Sequence, residues 1–203
     1  MPANKVIFIG GVPCTGKTSV SGFVARNLGI DIMLSGDYLR EFVRSFIASK
    51  KEYETLSVSV YDAWKYFGEM NNDNIIKGYK EQSRLISRGI GALIDRANKN
   101  GESLVIESLY FYPDELKQLK ENNVISLYIH VSDEERYRKM MMERIQYTHT
   151  RSGGDRLVQN IRQYKTIMDY TLRLCKEHGI KAFDNLDYIK TRDEILKYIK
   201  DRQ

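Results

Sequence analysis

Cysteine is scarce in this chain. Cys14 and Cys175 are the two among 203 residues, and neither has metal-ligand spacing or a companion histidine nearby. A disulfide framework and a structural zinc site are excluded, and a reducing, cytoplasmic compartment is expected. The three histidines, His130, His149 and His178, are too widely separated to form a metal cluster. No apolar run approaches the roughly 20 residues of a membrane-crossing helix, so no membrane partner is expected. The first strand-like run starts at residue 5, which leaves no room for a signal peptide. Internal repeats, low-complexity tracts and linkers are absent, so a single domain over 1–203 is expected.

Charge of one sign is not massed anywhere either. Lys and Arg number 32 against 27 Asp and Glu, a net charge of +5, which suits an anionic ligand. The basic residues are scattered, and no separate RNA-binding extension is visible, so no nucleic-acid partner is expected. One enrichment stands out, at Arg136, Arg138, Lys139, Arg144, Arg151, Arg156 and Arg162.

What is present is βα alternation. Strand-like runs fall near 4–10, 31–35, 103–107, 124–131 and, more weakly, 180–184, with helical patterns between them. That order predicts an α/β fold: a five-stranded parallel sheet flanked by helices, with its ligand crevice at the carboxyl ends of the strands. Two stretches contribute no strand. Residues 50–100 read as helices, with a pause at 68–74 and a second helix over about 74–97 that Gly101 closes as a C-cap. Residues 133–178 read as two helices broken at 148–154, a polar, arginine-bearing, glycine-paired break that suits a hinged lid over about 136–156.

The sharpest signal is Gly11-Val12-Pro13-Cys14-Thr15-Gly16-Lys17-Thr18, a complete G-x-x-x-x-G-K-[ST] pattern between an apolar strand and a helix. The glycines allow turns that a Cβ would block. Successive N–H groups then point at one phosphate, and the helix N-terminus adds its dipole. Lys17 is expected to reach the β and γ phosphates and Thr18 to ligate Mg²⁺, with Ser19 beside them; ATP and Mg²⁺ are the expected cofactors. Cys14, near a helix N-terminus, could have a lowered pKa; the plainer reading is a tolerated loop residue.

Phosphoryl transfer needs held phosphates, a placed metal ion, an oriented hydroxyl and neutralised charge. Asp37, just after the second strand, can orient or deprotonate an acceptor hydroxyl; helix capping is the structural alternative. Arg40, one turn on, is a candidate for an acceptor anion. Glu107 ends the third strand and is the candidate acid for the Mg²⁺ shell, the alternative being a solvated rim position. Trp64 and Gln82 are candidate acceptor-pocket residues, although aromatics at helical spacing are usually core. Among the basic cluster, Arg144, Arg151 and Arg156 bracket the 148–154 break and are the candidates for binding the transferred group; Arg136 and Arg138 read as helix-face residues.

Taken together, the chain resembles the archaeal 2-phosphoglycerate kinase family of P-loop kinases nearly end to end. The matching stretches are Ile9-Gly10-Gly11 into the loop, Ser35-Gly36-Asp37-Tyr38-Leu39-Arg40-Glu41, Tyr61-Asp62-Ala63-Trp64, Gly78-Tyr79-Lys80-Glu81-Gln82, Ile106-Glu107 with Pro113, Asp169-Tyr170 and Asp184-Asn185. The resemblance implies a P-loop kinase fold with a helical acceptor-binding insertion, and ATP- and Mg²⁺-dependent transfer to a hydroxyl of a small phosphorylated hydroxy acid. Two departures bear on the acceptor. The chain starts at the first strand, where family members acting on 2-phosphoglycerate carry a further N-terminal domain. Ser108 and Tyr110 replace a glycine and a histidine after Glu107, followed by Phe111 and Tyr112. A bulkier, more apolar, tyrosine-bearing pocket wall is expected, with Tyr110 in contact with substrate. A short, lone-domain chain of this kind resembles the relatives in acid-loving archaea that act on mevalonate 3-phosphate, and such a wall suits that branched, methyl-bearing acceptor better than glycerate. A nucleic-acid kinase and a non-catalytic nucleotide switch are the alternatives from other classes. The oligomeric state is open, a homodimer included.

Overall fold

The computed structural model describes residues 4–47, 51–121, 123–144 and 154–202. Five strands, β1 (Val6–Gly10), β2 (Ile32–Ser35), β3 (Leu104–Ser108), β4 (Val124–His130) and β5 (Lys181–Asp184), form one parallel sheet in the order β2-β3-β1-β4-β5. The sheet matches the expected strands within one or two residues. β1 lies at its centre, in register with Leu104 to Ser108 of β3 on one side and Val124 to Tyr128 of β4 on the other. Its β-branched and aromatic run is buried on both faces, as a central parallel strand requires.

Side chains alternate across the strand, so β1 feeds two separate cores. Val6 and Phe8 face α3 (Asn72–Asn100) and α6 (Ile161–Glu177), where Ile86, Ile90, Ile94, Ile167 and Met168 join them. Ile7 and Ile9 face α1 (Lys17–Leu28) and α7 (Tyr188–Lys200), against Val20, Val24, Ile195 and Ile199. Gly101 closes α3 as expected, and Gly29 closes α1 in the same way: they adopt φ near +69° and +64° and return their N–H groups to the last turn. Among the described residues no helix is long and apolar enough to cross a membrane.

The helical excursions differ from expectation in detail. The first of the two helices expected over 50–100 is instead a pair of 3₁₀ segments, Lys51–Ser57 and Val60–Phe67. Their serine, β-branched and aromatic content disfavours a continuous α-helix. The second segment is held by packing on α3. At Gly78 a Cβ would lie 2.6 Å from the Ala63 carbonyl carbon and 2.8 Å from the Trp64 nitrogen. Helix propensity alone would make Gly78→Ala stabilising by up to about 1 kcal/mol. Backbone atoms cannot swing aside, and overpacking of this kind costs about 1–3 kcal/mol. Thermal unfolding of Gly78→Ala is therefore expected to show a lower Tm; a raised Tm would mean that the 3₁₀ segment is not clamped here.

The second excursion begins with α4 (Glu134–Glu143). It resumes with α5 (Asp155–Gln159), which breaks at Asn160 before α6. One helix was expected where α5 and α6 stand. Asn160 uses its side chain to accept from Gln163 and to donate to the Arg156 carbonyl, which terminates α5 locally. The centre of the expected lid, with Arg151 and His149, lies outside the described residues.

Candidate active site

The loop after β1 is shaped by its small residues. A Cβ on Gly11 would meet the Thr15 hydroxyl at 2.6 Å and the Ile129 carbonyl at 2.8 Å, and Gly16 has φ +89° with Asn185 Nδ2 2.5 Å from where its Cβ would be. Cys14 has φ +64°, the one positive φ on a non-glycine among the described residues. Alternation of left- and right-handed residues turns consecutive N–H groups into one concavity, the geometry that receives an anion. A left-handed cysteine costs about 1–3 kcal/mol and persists only where its surroundings hold it.

Three hydrogen bonds do the holding. Thr15 Oγ1 donates to the Val12 carbonyl at 2.9 Å within the loop. Tyr137, on α4, donates its hydroxyl to the Pro13 carbonyl at 2.9 Å. Asn185, just beyond β5, donates Nδ2 to the Thr15 carbonyl at 2.9 Å. Two of the loop's carbonyls, those of Pro13 and Thr15, are thus engaged by neighbouring elements, and the Gly11 N–H donates to the Ser108 carbonyl at 3.2 Å.

Lys17 opens α1 and reaches toward Glu107 at the end of β3, Nζ to Oε2 3.6 Å, with both side chains almost wholly buried. Glu107 is therefore not a solvated rim residue. Among the described residues its Oε2 accepts no hydrogen bond and has only the Lys17 ammonium beside it, a buried carboxylate oxygen of the kind a hard cation or its water ligands would engage. Thr18 and Ser19 are exposed in the first turn of α1 beside it. Among the described residues no group of three or more His, Cys, Asp or Glu is placed to hold a metal ion.

A cavity of about 500 Å³ lies over the loop, lined by Pro13, Cys14, Lys17, Thr18, Asp37, Arg136, Arg144 and Asn185 among others. Its volume fits a nucleotide-sized ligand. Burial pushes the Cys14 thiol above its ordinary range, against the smaller opposing pulls of Arg144 and Lys17. The lowered pKa that a helix N-terminus could have given it is absent, and the residue's contribution is backbone shape.

Asp37 stands in the first turn of α2 (Gly36–Ile47), exposed, on the same cavity as Lys17. Gly36 presses this turn onto β3, since a Cβ there would be 2.1 Å from Ser108 Oγ. Asp37 lies inside the helix rather than at its cap position, so the capping alternative does not hold. Arg40 has a structural engagement: its Nη2 donates to the Leu56 and Val58 carbonyls at 2.7 and 2.5 Å, and its Nη1 pairs with Glu41. Gln82 is fully buried and its Nε2 donates to the Thr55 and Val58 carbonyls, with Oε1 unpartnered among the described residues. Trp64 is half-buried and its indole N–H has no hydrogen-bond partner among the described residues.

The stretch after Glu107 departs from the expected apolar pocket wall. Phe111 stacks on Phe8 at 4.8 Å, in space left by Gly10, and so belongs to the core. Tyr110 is buried too, and burial raises its hydroxyl pKa well above the ordinary value. The charge of Arg40 opposes that rise, while Asp37 and Glu41 add to it. Tyr110 thus sits within electrostatic reach of Asp37.

Several residues escaped sequence reasoning. Asn185, Tyr137 and Arg136 contribute to the loop or its cavity. Asn185 carried a usable signal, since it follows a strand at the crevice end. Arg136 offered none: its neighbour Arg138 pairs on the outside with Glu134 at 2.8 Å, and nothing in spacing separates the two. Arg156, by contrast, is not on the loop cavity; its guanidinium lies 5.9 Å from the Tyr61 ring centroid.

Strand order, loop and facing acids together define a P-loop kinase. No family model matches the chain. A mevalonate-3-phosphate 5-kinase from Thermoplasma acidophilum is 47% identical over 193 residues, 95% of this chain and 94% of that protein. The chain belongs to the family of that kinase. A 2-phosphoglycerate kinase from Methanocaldococcus jannaschii is 28% identical over 97% of this chain, which spans 63% of that protein's length. Among solved structures, a shikimate kinase from Acinetobacter baumannii superimposes with a TM-score of 0.55 over 98% of this chain and 95% of its own, at 14% identity, a likeness of fold. The chain is an ATP-using phosphotransferase with an alcohol as acceptor.

Proposed function

We propose that this protein transfers the γ-phosphoryl group of ATP to the 5-hydroxyl of mevalonate 3-phosphate, giving mevalonate 3,5-bisphosphate and ADP. The observation that carries the reading is 47% identity along nearly the whole of a kinase named for that acceptor. The loop, Lys17, Glu107 and Asp37 on one crevice support it. Residues 1–203 act as one catalytic unit in the cytoplasm.

In this reading the loop N–H groups and Lys17 hold the β and γ phosphates. Thr18 and Glu107 would hold Mg²⁺, which supplies neutralisation of phosphate charge when bound. Asp37 accepts the proton of the acceptor hydroxyl as its oxygen bonds to the γ phosphorus and the bond to the ADP oxygen breaks. Arg144, at the cavity, neutralises charge on the moving group. Phosphoryl transfer asks mainly for positioning and electrostatic stabilisation, and these groups supply both.

The second reading, 2-phosphoglycerate as acceptor, draws on the more distant relatives. Incubation with ATP, Mg²⁺ and either acid, with ADP release followed and the product's phosphorus resonances assigned, separates the two. Turnover of mevalonate 3-phosphate with a new phosphate on C5 is expected; turnover confined to 2-phosphoglycerate would replace the first reading with the second.

A further inference from the structure

Helix α2 carries more apolar surface than the fold covers. Leu39, Val43 and Ile47, spaced by four, are partly buried and pack against the larger core. Tyr38, Phe42 and Phe46, also spaced by four, form the neighbouring stripe and are 81%, 67% and 68% exposed. Residues four apart share one helix face, so this second stripe runs about 12 Å along the helix. Phe42 and Phe46 meet edge to face with ring centroids 5.1 Å apart, one aromatic surface rather than two separate rings. Among the described residues eleven large apolar side chains are exposed, and these three are the most exposed of them. Two others, Ile32 and Met33, lie on β2, the outer strand that leads into α2. Apolar residues scattered singly over a surface are ordinary, whereas a contiguous patch marks a place of contact.

Three features fit the stripe to a second copy of itself. The first is symmetry. Tyr38 and Phe46 stand four residues to either side of Phe42, so a two-fold axis through Phe42 lays two α2 helices antiparallel, with Phe42 against Phe42 and Tyr38 against Phe46 twice over. The second is area. A Tyr or Phe side chain offers about 150–250 Å², so three at these exposures bury about 300–500 Å² per copy, the apolar centre of a standard interface that takes about 800 Å² from each partner. The third is charge. Glu41, which borders the stripe, is paired with Arg40 and Arg44, so the border carries no unbalanced acid toward its copy. Asp37 lies about 100° round the helix from Tyr38 and on the loop cavity, so the pairing leaves the candidate base open to substrate.

We propose that the protein forms a two-fold homodimer through α2, with Tyr38, Phe42 and Phe46 of each copy as its apolar centre. The pairing is independent of which acceptor the enzyme uses. It makes the helix that carries Asp37 the element on which two copies meet.

The test is sedimentation equilibrium of the full chain and of Phe42→Glu, from submicromolar to tens of micromolar protein. Wild type is expected at twice the 23.7 kDa of one chain. Phe42→Glu removes the central ring and sets two carboxylates face to face on the axis. It is expected to raise the dissociation constant about 30-fold or more, the share of an aromatic hot spot. Because Phe42 is exposed within one copy, ATP affinity stays within about twofold of wild type. A second measurement reads the register itself. Phe42→Cys treated with a short bis-maleimide is expected to cross-link to its own copy, and Tyr38→Cys only when mixed with Phe46→Cys; wild type, which keeps Cys14 and Cys175, is the control. A wild type that stays monomeric at every concentration would overturn the proposal and leave the stripe to a different partner. A dimer untouched by Phe42→Glu, or one whose Phe42→Cys form gives no cross-link, would overturn it as well by placing the interface elsewhere.

Discussion

Asp37→Asn lowers kcat by about 10²–10⁴-fold, the usual contribution of a positioned general base or hydroxyl-orienting group, while thermal stability stays close to wild type. The two halves of this expectation come from different features. The activity loss follows from place: Asp37 faces the same cavity as Lys17 and Thr18 and is the acidic group in the first turn after β2. Asparagine preserves shape and can still accept a hydrogen bond through its carbonyl oxygen, but it cannot take the hydroxyl proton. The neutral stability follows from exposure. Asp37 is solvent-facing, has no ion pair among the described residues, and lies outside both cores, and surface changes away from such features fall within about ±0.5 kcal/mol. ATP binding in the absence of acceptor is retained, because the loop and Lys17 are untouched. Steady-state kinetics with mevalonate 3-phosphate and a melting curve check both halves. A variant with wild-type kcat would remove Asp37 from the chemistry and leave the acceptor hydroxyl without a base on this wall.

The nucleotide half of the site was legible in the sequence because it is local. A phosphate loop is built from consecutive residues, and the strand before it and the helix after it carry their own periodicities, so Gly11 to Thr18 and their flanks are read as one unit. Asp37 and Glu107 followed from topology, since parallel strands end on the same side. The acceptor half is assembled from side chains far apart in the chain. Whether Arg136 or Arg138 turns inward depends on one helical step on α4. Whether Phe111 joins a pocket or the core depends on the space left by Gly10, about a hundred residues earlier. Arg40 and Arg156 look alike in sequence; the Leu56 and Val58 carbonyls engage the first, and the second lies by the Tyr61 ring. Contacts of this kind have no periodicity to betray them.

Lys17→Ala carries the other large effect, and it acts on rate and stability together. Loss of one preorganised donor to developing phosphate charge costs about 10²–10³-fold in kcat. The same substitution strips Glu107 of its counter-charge. The pair is 3.6 Å apart with side chains 7% and 4% exposed, so solvent does little to replace the missing ammonium, and breaking a buried pair by removing one partner costs about 3–5 kcal/mol. Glu107→Gln in the Lys17→Ala background removes the stranded charge and leaves an unpaired amide, whose burial costs about 1–3 kcal/mol. The double variant is therefore expected to melt higher than Lys17→Ala, by about 1 kcal/mol or more in unfolding free energy, yet to recover no activity. Denaturant unfolding of both variants in nucleotide-free buffer, beside kcat for each, separates the two roles. Identical stabilities for wild type and Lys17→Ala would show that the ion pair has no structural weight, and that Glu107 is held at the end of β3 by its strand alone.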